Sequence, residues 1–282
     1  MGQSEGNGHQ HRAAAFPMTA PLLSIVTVVR NELRGLKRTL RSIEAQLGVL
    51  RTLPTELLIV DGASSDGSRQ VAEAFRDQRA LPVRVLGQQP QGVYPAMNLG
   101  WRQARGRWLI YVNAGDLLGS IQPLAEALQS NDPSVWAYQG RSAMQPPGLT
   151  WAIEVHSEAV HCHQALAYRR ELHERLGPYD ERLKVCADTA FMGRIPPQQW
   201  QYLPALLAIS TVSPSDLSRT PRAIRRDLQT LQAIQPNLRP WPRARVSLAI
   251  LEIERLLGIS WSVWIRAGLG LLRGNHKLVN LG

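Results

Sequence analysis

Cysteine is almost missing from this chain. Only Cys162 and Cys186 occur in 282 residues, too few for a disulfide framework, which fits a reducing, cytoplasmic setting. Long apolar runs are missing too: no stretch approaches the roughly 18 apolar residues that span a bilayer. The first twenty residues lack the apolar core of a secretory signal and read as a disordered lead-in. Gly6 stands where N-myristoylation would want Ser or Thr. There is no GxSxG elbow, no P-loop and no GxGxxG, so acyl hydrolysis and P-loop nucleotide chemistry find no support. No repeat at a fixed period is visible.

Acidic residues are scarce in one place. From Arg219 to Gly282 eleven basic residues face only Asp227, Glu252 and Glu254, so this stretch holds +8 of the formal +10 and the body is near neutral. A nucleic-acid binder would spread its basic residues along a groove with stacking aromatics. Here the charge sits in a tail, and no nucleic-acid partner is expected. The apolar, Trp-bearing segment Leu248–Leu272 is interrupted by Glu252, Glu254, Arg255 and Arg266. It suits an interfacial helix on anionic lipid, and equally a helix packed on the body or on a second protomer of a homodimer.

What is present is an alternation. Apolar runs at Leu22–Val29, Leu57–Val60, Val83–Leu86 and Trp108–Val112 are separated by helical spacings over Leu33–Ala45, Ser68–Gln78 and Tyr94–Arg105. Strands and helices in that order predict βαβ units and a parallel sheet. Beyond Asp116 the pattern becomes mixed. It shows a helix at Ile121–Gln129, short strands at Val135–Gln139, Thr150–Val155 and Gln164–Tyr168, a helix at Arg170–Leu176 and a closing apolar run at Tyr202–Val212. Arg219–Ile234 is amphipathic, and Pro236–Pro242 reads as a linker.

Three acids occupy interpretable places. Asp61 ends a strand buried on both faces and is followed by the turn Gly62–Gly67; ligands of open α/β sheets sit beyond such strand ends. The same residues also suit an ordinary strand–turn–helix connection, with Ser65 or Asp66 capping the helix. Asp116 follows Asn113-Ala114-Gly115 after another strand, where a carboxylate either forms the turn or helps hold a hard divalent cation. Asp188 lies at or near the start of a later helix. His161-Cys162-His163 alternates metal-ligating types, but structural zinc wants four ligands in paired spacings and no second pair exists. A polar pocket lined by His163 and Gln164 is the better expectation.

The segments LLSIVTVVRNE, ELLIVDGASSDGS, QGVYPAMNLGW, RWLIYVNAGD and HCHQALAYRRELHERLGPYDERLKVCAD, in that order, resemble the family 2 glycosyltransferases of GT-A fold, closest in flavour to bacterial enzymes of capsule, exopolysaccharide or O-antigen synthesis. The resemblance covers about Leu22 to Val212. It implies an α/β nucleotide-binding fold with a mostly parallel central sheet flanked by helices. A lead-in (1–20), a catalytic domain (21–215, with a nucleotide-binding half 21–118 and an acceptor half 119–215) and a basic helical region (216–282) follow from it.

It further implies inverting transfer from a UDP- or GDP-sugar to a saccharide or polyprenyl-linked acceptor. Thr27, Val29, Arg30, Asn31 and Glu32 would line the nucleotide, with Asp61 on the base, Asp66 shaping its turn, and Gly92 to Asn98 (Met97 and Asn98 among them) over ribose and diphosphate. Asn113 to Asp116 stand at the metal motif, with Asp116 the ligand to Mn²⁺ or Mg²⁺. His163 and Gln164 would face the sugars, and Asp188 would be the general base. Such an enzyme would be cytoplasmic, resting on the inner face of the plasma membrane if its tail binds lipid.

The chain departs from the family pattern at three points. Pro95 replaces a common acid, Asn-Ala-Gly-Asp carries one carboxylate in place of two, and Thr189-Ala190 follows Asp188 where an aromatic and a second acid are frequent. A nucleotidyltransferase of similar fold would carry a Gly-rich phosphate loop where Val29-Arg30-Asn31-Glu32 stands. A catalytically silent nucleotide-sugar binder remains the rival reading.

Overall fold

The structure, a computed structural model, describes residues 20–78, 81–145, 149–155, 162–211, 222, 225–227, 229–230 and 276–280. The expected lead-in, His156, His161 and nearly all of the expected tail helices fall outside them.

In chain order the elements are β1 (Leu23–Val29), α1 (Leu33–Glu44), α2 (Leu47–Leu50), β2 (Thr55–Asp61), α3 (Ser68–Asp77), β3 (Val83–Gly87), α4 (Val93–Gln103), β4 (Trp108–Tyr111) and β5 (Leu117–Leu118). The second half adds α5 (Gln122–Ser130), β6 (Ala137–Gln145), β7 (Trp151–Val155), a 3-10 turn at His163–Ala165, β8 (Leu166–Arg169), α6 (Leu172–Leu176), α7 (Ala187–Met192), β9 (Trp200–Thr211) and β10 (His276–Asn280).

The sheet runs β10-β7-β6-β8-β4-β1-β2-β3, with β9 joining β6 and β5. Around β1 the pairing is parallel: Leu23 to Val29 oppose Thr55 to Asp61, and Leu23 to Val26 oppose Trp108 to Tyr111. β8 then runs antiparallel to β4, and β6 antiparallel to β8. The parallel strands β1, β2 and β4 are buried along their whole length, as expected of strands covered by helices on both faces. β10 falls in the basic region that the sequence suggested was helical. Its five residues are too short to show a period of their own, and they pair antiparallel with the edge strand β7.

Two cores lie on the two faces. Leu23, Ile25, Leu57 and Ile59 pack beneath Leu36, Leu40 and Ile43 of α1, Phe75 of α3 and Leu124 of α5. Val26, Val28, Leu58 and Val60 pack beneath Tyr94 and Met97 of α4 and Phe191 and Met192 of α7. α4 lies directly on β1: a Cβ added at Gly100 would come within 2.5 Å of Val26 Cγ1. Pro95 fits the first turn of α4, where its missing N–H has no intrahelical acceptor to lose. Among the described residues no helix is long and apolar enough to cross a membrane.

Candidate active site

At the ends of β1 and β2 two loops are laced together by small polar side chains. Asn31, at a φ of 50° that Asn tolerates better than most residues, donates its backbone N–H to Ser64 Oγ (2.9 Å), and its Oδ1 accepts from the Ser65 N–H (2.8 Å). Asp66 caps two helices at once. Its Oδ2 accepts from the Leu33 N–H at the start of α1, and its Oδ1 accepts from Ser68 N–H and Oγ at the start of α3. The Ser68 hydroxyl holds the Asp66 carboxyl below its usual range, against an opposing effect of desolvation. Arg30 and Glu32 are exposed on the outer edge of this lacing.

Asp61 is fully buried at the foot of the same turn. Both of its oxygens accept from the Ser64 N–H at 3.3 Å, and Arg69 Nη1 stands 4.0 Å away. Thr27 and Val29 are buried, in register with Ile59 and Asp61. Thr27 Oγ1 is enclosed without a hydrogen-bond partner among the described residues. An enclosed hydroxyl with nothing to bind is unusual and points to a group that arrives with a ligand or water.

The turn after β4 is organised by a residue that the sequence did not single out. Thr39, on the buried face of α1, touches the Asp116 carbonyl at 2.7 Å, the Asn113 carbonyl at 3.2 Å and the Gly115 N–H at 3.0 Å through its one hydroxyl. Gly115 has a φ of 102°, a conformation that side-chain-bearing residues avoid. Its carbonyl accepts from Thr211 Oγ1 at the end of β9, and Arg38 Nη1 donates to that hydroxyl in turn. Asp116 is buried here, and Asn113 Oδ1 is enclosed with no partner among the described residues. No three His, Cys, Asp or Glu residues cluster as a metal cage among the described residues. One carboxylate and one amide oxygen in a turn are nevertheless the hard oxygen donors that suit Mg²⁺ or Mn²⁺ shared with phosphates.

On the opposite face of the sheet, Asp188 sits in the first turn of α7. Its Oδ1 accepts from Tyr94 Oη at 3.0 Å and from the Thr189 N–H at 2.8 Å. Burial first, and then the Asp188 charge, push the Tyr94 phenol up, so it stays protonated as a donor. Thr189, one of the three departures from the family pattern, thus supplies a backbone and a side-chain contact to the acid it follows.

Met97 and Asn98, expected over the nucleotide, are both buried in the structure. The Asn98 amide is occupied internally by Tyr179 and Glu181, and the Met97 carbonyl accepts from Tyr111 Oη.

His163 and Gln164 lie in the 3-10 turn before β8. His163 is buried and bonded through Nε2 to Tyr179 Oη at 3.0 Å. Gln164 Oε1 accepts from Cys162 Sγ. This turn lies against the end of β4, where the His163 and Tyr111 rings are 5.2 Å apart, and the charge of Asp116 reaches Cys162 as that of Asp188 reaches His163. In both residues burial is the larger influence, raising the thiol and lowering the imidazole.

The basic tail contributes one acid. Asp227 is completely buried, and its carboxylate accepts from the backbone N–H groups of Lys184, Val185 and Cys186 at 2.8, 2.6 and 3.1 Å. Those three residues lead directly into α7 and Asp188. Burial, then Asp227 and Asp188, push the Cys186 thiol up to about 12, which leaves it unreactive. The signal was available: Asp227 is the lone acid between Arg219 and Glu252.

Residues 24–193 match the model described as glycosyl transferase family 2. The PGL/p-HBAD biosynthesis glycosyltransferase of Mycobacterium bovis is 32% identical over 182 residues, covering 62% of this chain and 69% of that protein. An uncharacterized glycosyltransferase of a Nostoc species is 26% identical over 199 residues, 61% of each chain. The mannosyltransferase PcManGT of Pyrobaculum calidifontis, solved with GDP-Man and Mn²⁺, superposes with a TM-score of 0.58 at 18% identity, covering 90% of this chain and 82% of that one. S. aureus TarS (residues 1–349) with UDP superposes with a TM-score of 0.54 at 17% identity, covering 85% and 73%. At such identities the structural likeness speaks for the fold alone.

Proposed function

This chain belongs to glycosyl transferase family 2 and has the GT-A fold, and we propose that it inverts a sugar on transfer from a UDP- or GDP-sugar to a saccharide or polyprenyl-linked acceptor in cell-surface polysaccharide synthesis. The nucleoside occupies the laced end of β1 and β2. There Asp61 accepts from the base, and Thr27, Val29, Arg30, Asn31 and Glu32 form the wall. The diphosphate lies towards Asn113 and Asp116. When bound, a divalent cation neutralises the charge of the departing diphosphate, held by the Asp116 carboxylate with the partnerless Asn113 oxygen beside it.

The observation that carries the reading is the Asp188 carboxylate. Oδ1 is engaged by Tyr94 and Thr189, while Oδ2 has no hydrogen-bond partner among the described residues. Oδ2 takes the proton of the acceptor hydroxyl. The acceptor oxygen bonds to the anomeric carbon from the side opposite the diphosphate, the bond to the diphosphate oxygen breaks, and the nucleoside diphosphate leaves with the electron pair. Inversion follows from that single displacement. The mycobacterial relatives are named for PGL/p-HBAD biosynthesis, and a polyprenyl-linked acceptor would be held at a membrane. A basic tail resting on the anionic inner face of the plasma membrane, or pairing two protomers, would keep the protein near it.

Nucleotide-sugars with and without Mn²⁺ test the reading by melting shift and by turnover. A bound donor raises the melting temperature. Asp61→Ala abolishes that shift; Asp188→Ala keeps it and loses transfer. A protein whose melting no UDP- or GDP-sugar alters does not bind a donor, and one that shifts without ever turning over is the silent binder.

A further inference from the structure

Behind Asp188 a line of four side chains crosses the interior and ends on a backbone carbonyl. His173 Nδ1 lies 3.1 Å from the Gly177 oxygen, and its Nε2 lies 2.8 Å from Tyr168 Oη. Tyr168 Oη lies 2.7 Å from Tyr179 Oη, which lies 3.0 Å from His163 Nε2. All four side chains are buried.

The direction of every hydrogen bond in this line is decided at one end. A carbonyl only accepts, so His173 Nδ1 carries the proton that points at Gly177. Burial lowers the His173 pKa to about 3, so the ring is neutral and its Nε2 is a bare acceptor. Tyr168 therefore donates to His173. Its single proton is then used, and Tyr168 Oη accepts from Tyr179. Tyr179 in turn has no proton left for His163, so His163 Nε2 must be the donor. His163 is also held neutral by burial. A neutral ring protonated on Nε2 has a lone pair on Nδ1, and Nδ1 has no hydrogen-bond partner among the described residues.

We propose that His163 is a substrate-binding residue whose Nδ1, set as an acceptor by the Gly177–His173–Tyr168–Tyr179 line, takes a hydrogen bond from a sugar hydroxyl. The inference rests on the family reading for there being a sugar at all, and on geometry for bringing it within reach: His163 lies against Tyr111 at the end of β4, and its partner Tyr179 packs on Tyr94, which bonds Asp188. It excludes two other roles. An acceptor nitrogen repels a phosphate oxygen, so the donor diphosphate is not its ligand. Burial disfavours a second proton on this ring, so deprotonation of the acceptor stays with Asp188.

Two substitutions separate this from a purely structural histidine. Asn places a polar atom near the Nδ1 position, and Gln places one near Nε2. If Nδ1 binds substrate, His163→Asn keeps kcat/KM within about tenfold of the parent and His163→Gln loses roughly a hundredfold, the range for an unpaired polar contact. If the histidine only supports Tyr179, the order is reversed, and the proposal is overturned. Deoxy donors and deoxy acceptors, assayed against the parent and the Gln variant, assign the hydroxyl: the sugar whose missing hydroxyl costs the parent but not the Gln variant is the one bound.

Nitrogen-15 spectra of the full chain at neutral pH read the tautomers without any turnover. The expected result is His163 protonated on Nε2 and His173 on Nδ1, with Tyr179→Phe releasing the first and not the second. A His163 ring protonated on Nδ1, or on both nitrogens, sinks the proposal even if sugar transfer is demonstrated. Correct tautomers in a protein that transfers no sugar would instead sink the functional reading on which it rests.

Discussion

Asn98 grips the backbone of Tyr179 from both sides: its Oδ1 accepts from the Tyr179 N–H and its Nδ2 donates to the Tyr179 carbonyl, each at 3.0 Å. An amide on α4 thereby imitates the hydrogen-bond pair of a neighbouring strand, and it fixes the residue whose phenol touches both His163 and Tyr168. Asn98→Asp keeps the shape but turns the donor into a second acceptor facing a carbonyl and Glu181. The expected cost is about 2–4 kcal/mol of stability, since it leaves buried polar groups unpaired. Urea unfolding measures it. A loss under about 0.5 kcal/mol, the scale of an ordinary surface change, would mean that the Tyr179 loop is held by something else.

Thr39→Val tests the hub beneath the Asn113–Asp116 turn. Valine preserves the volume and removes the hydroxyl on which four backbone groups converge, three of them from the turn and one from Gly35. Stability should fall by roughly 1–3 kcal/mol. The Mn²⁺ needed for half-maximal transfer should rise several-fold, because the turn carrying Asp116 loses its anchor. An unchanged metal requirement in a destabilised variant would separate the turn from the cation.

Tyr94→Phe removes one of the two strong donors to Asp188 Oδ1. The kcat should drop about tenfold, equivalent to ~1.4 kcal/mol, while the melting shift induced by the donor stays the same. A fall in donor affinity with kcat intact would assign Tyr94 to the donor and not to the base.

Acid should unfold the protein through its buried histidines. The His173 pKa is lowered from the ordinary 6.5 to about 3, and that of His163 is lowered as well. The unfolded chain therefore binds protons that the folded chain refuses. Stability is full above about 6.5 and declines as pH falls toward the folded values, by at most about 1.4 kcal/mol per pH unit for each group. Melting curves between pH 7.5 and 5 should show the decline. His173→Asn, which keeps a donor for the Gly177 carbonyl, should flatten it while lowering stability at neutral pH.

The strand ends could be read from sequence because their causes are local. Leu57 to Val60 running into Asp61, or Trp108 to Val112 running into Asn113, announce buried strands with a polar residue at the rim, and Asp188 announces itself at a helix start. The connections could not be read so. Thr39 looks like a polar interruption in the stripe Leu36, Leu40, Ile43 whose hydroxyl could simply bond back to Gly35 within α1, and the approach of the β4 turn gives it a larger task. Asn98 carried the expectation of a nucleotide contact because it sits beside Met97 in a recognisable segment; its partner is 81 residues away. The Tyr168, His173 and Tyr179 line is likewise invisible one residue at a time, since each of them passes for an ordinary core aromatic. β10 shows the same limit from the other side, a strand that exists because an edge was there to receive it.

The clasp between Asp227 and residues 184–186 bears on the order in which the molecule can be finished. A chain made from its N-terminus emerges with β1 to β9 and the helices between them before residue 227 appears. Folding during synthesis proceeds largely in that order. Until then Lys184, Val185 and Cys186 present three backbone N–H groups with no carboxylate to meet them. The segment that carries Asp188 is therefore completed only after β9 has emerged, by a residue from the basic region. A nascent chain would own its nucleotide end while still lacking a settled acid.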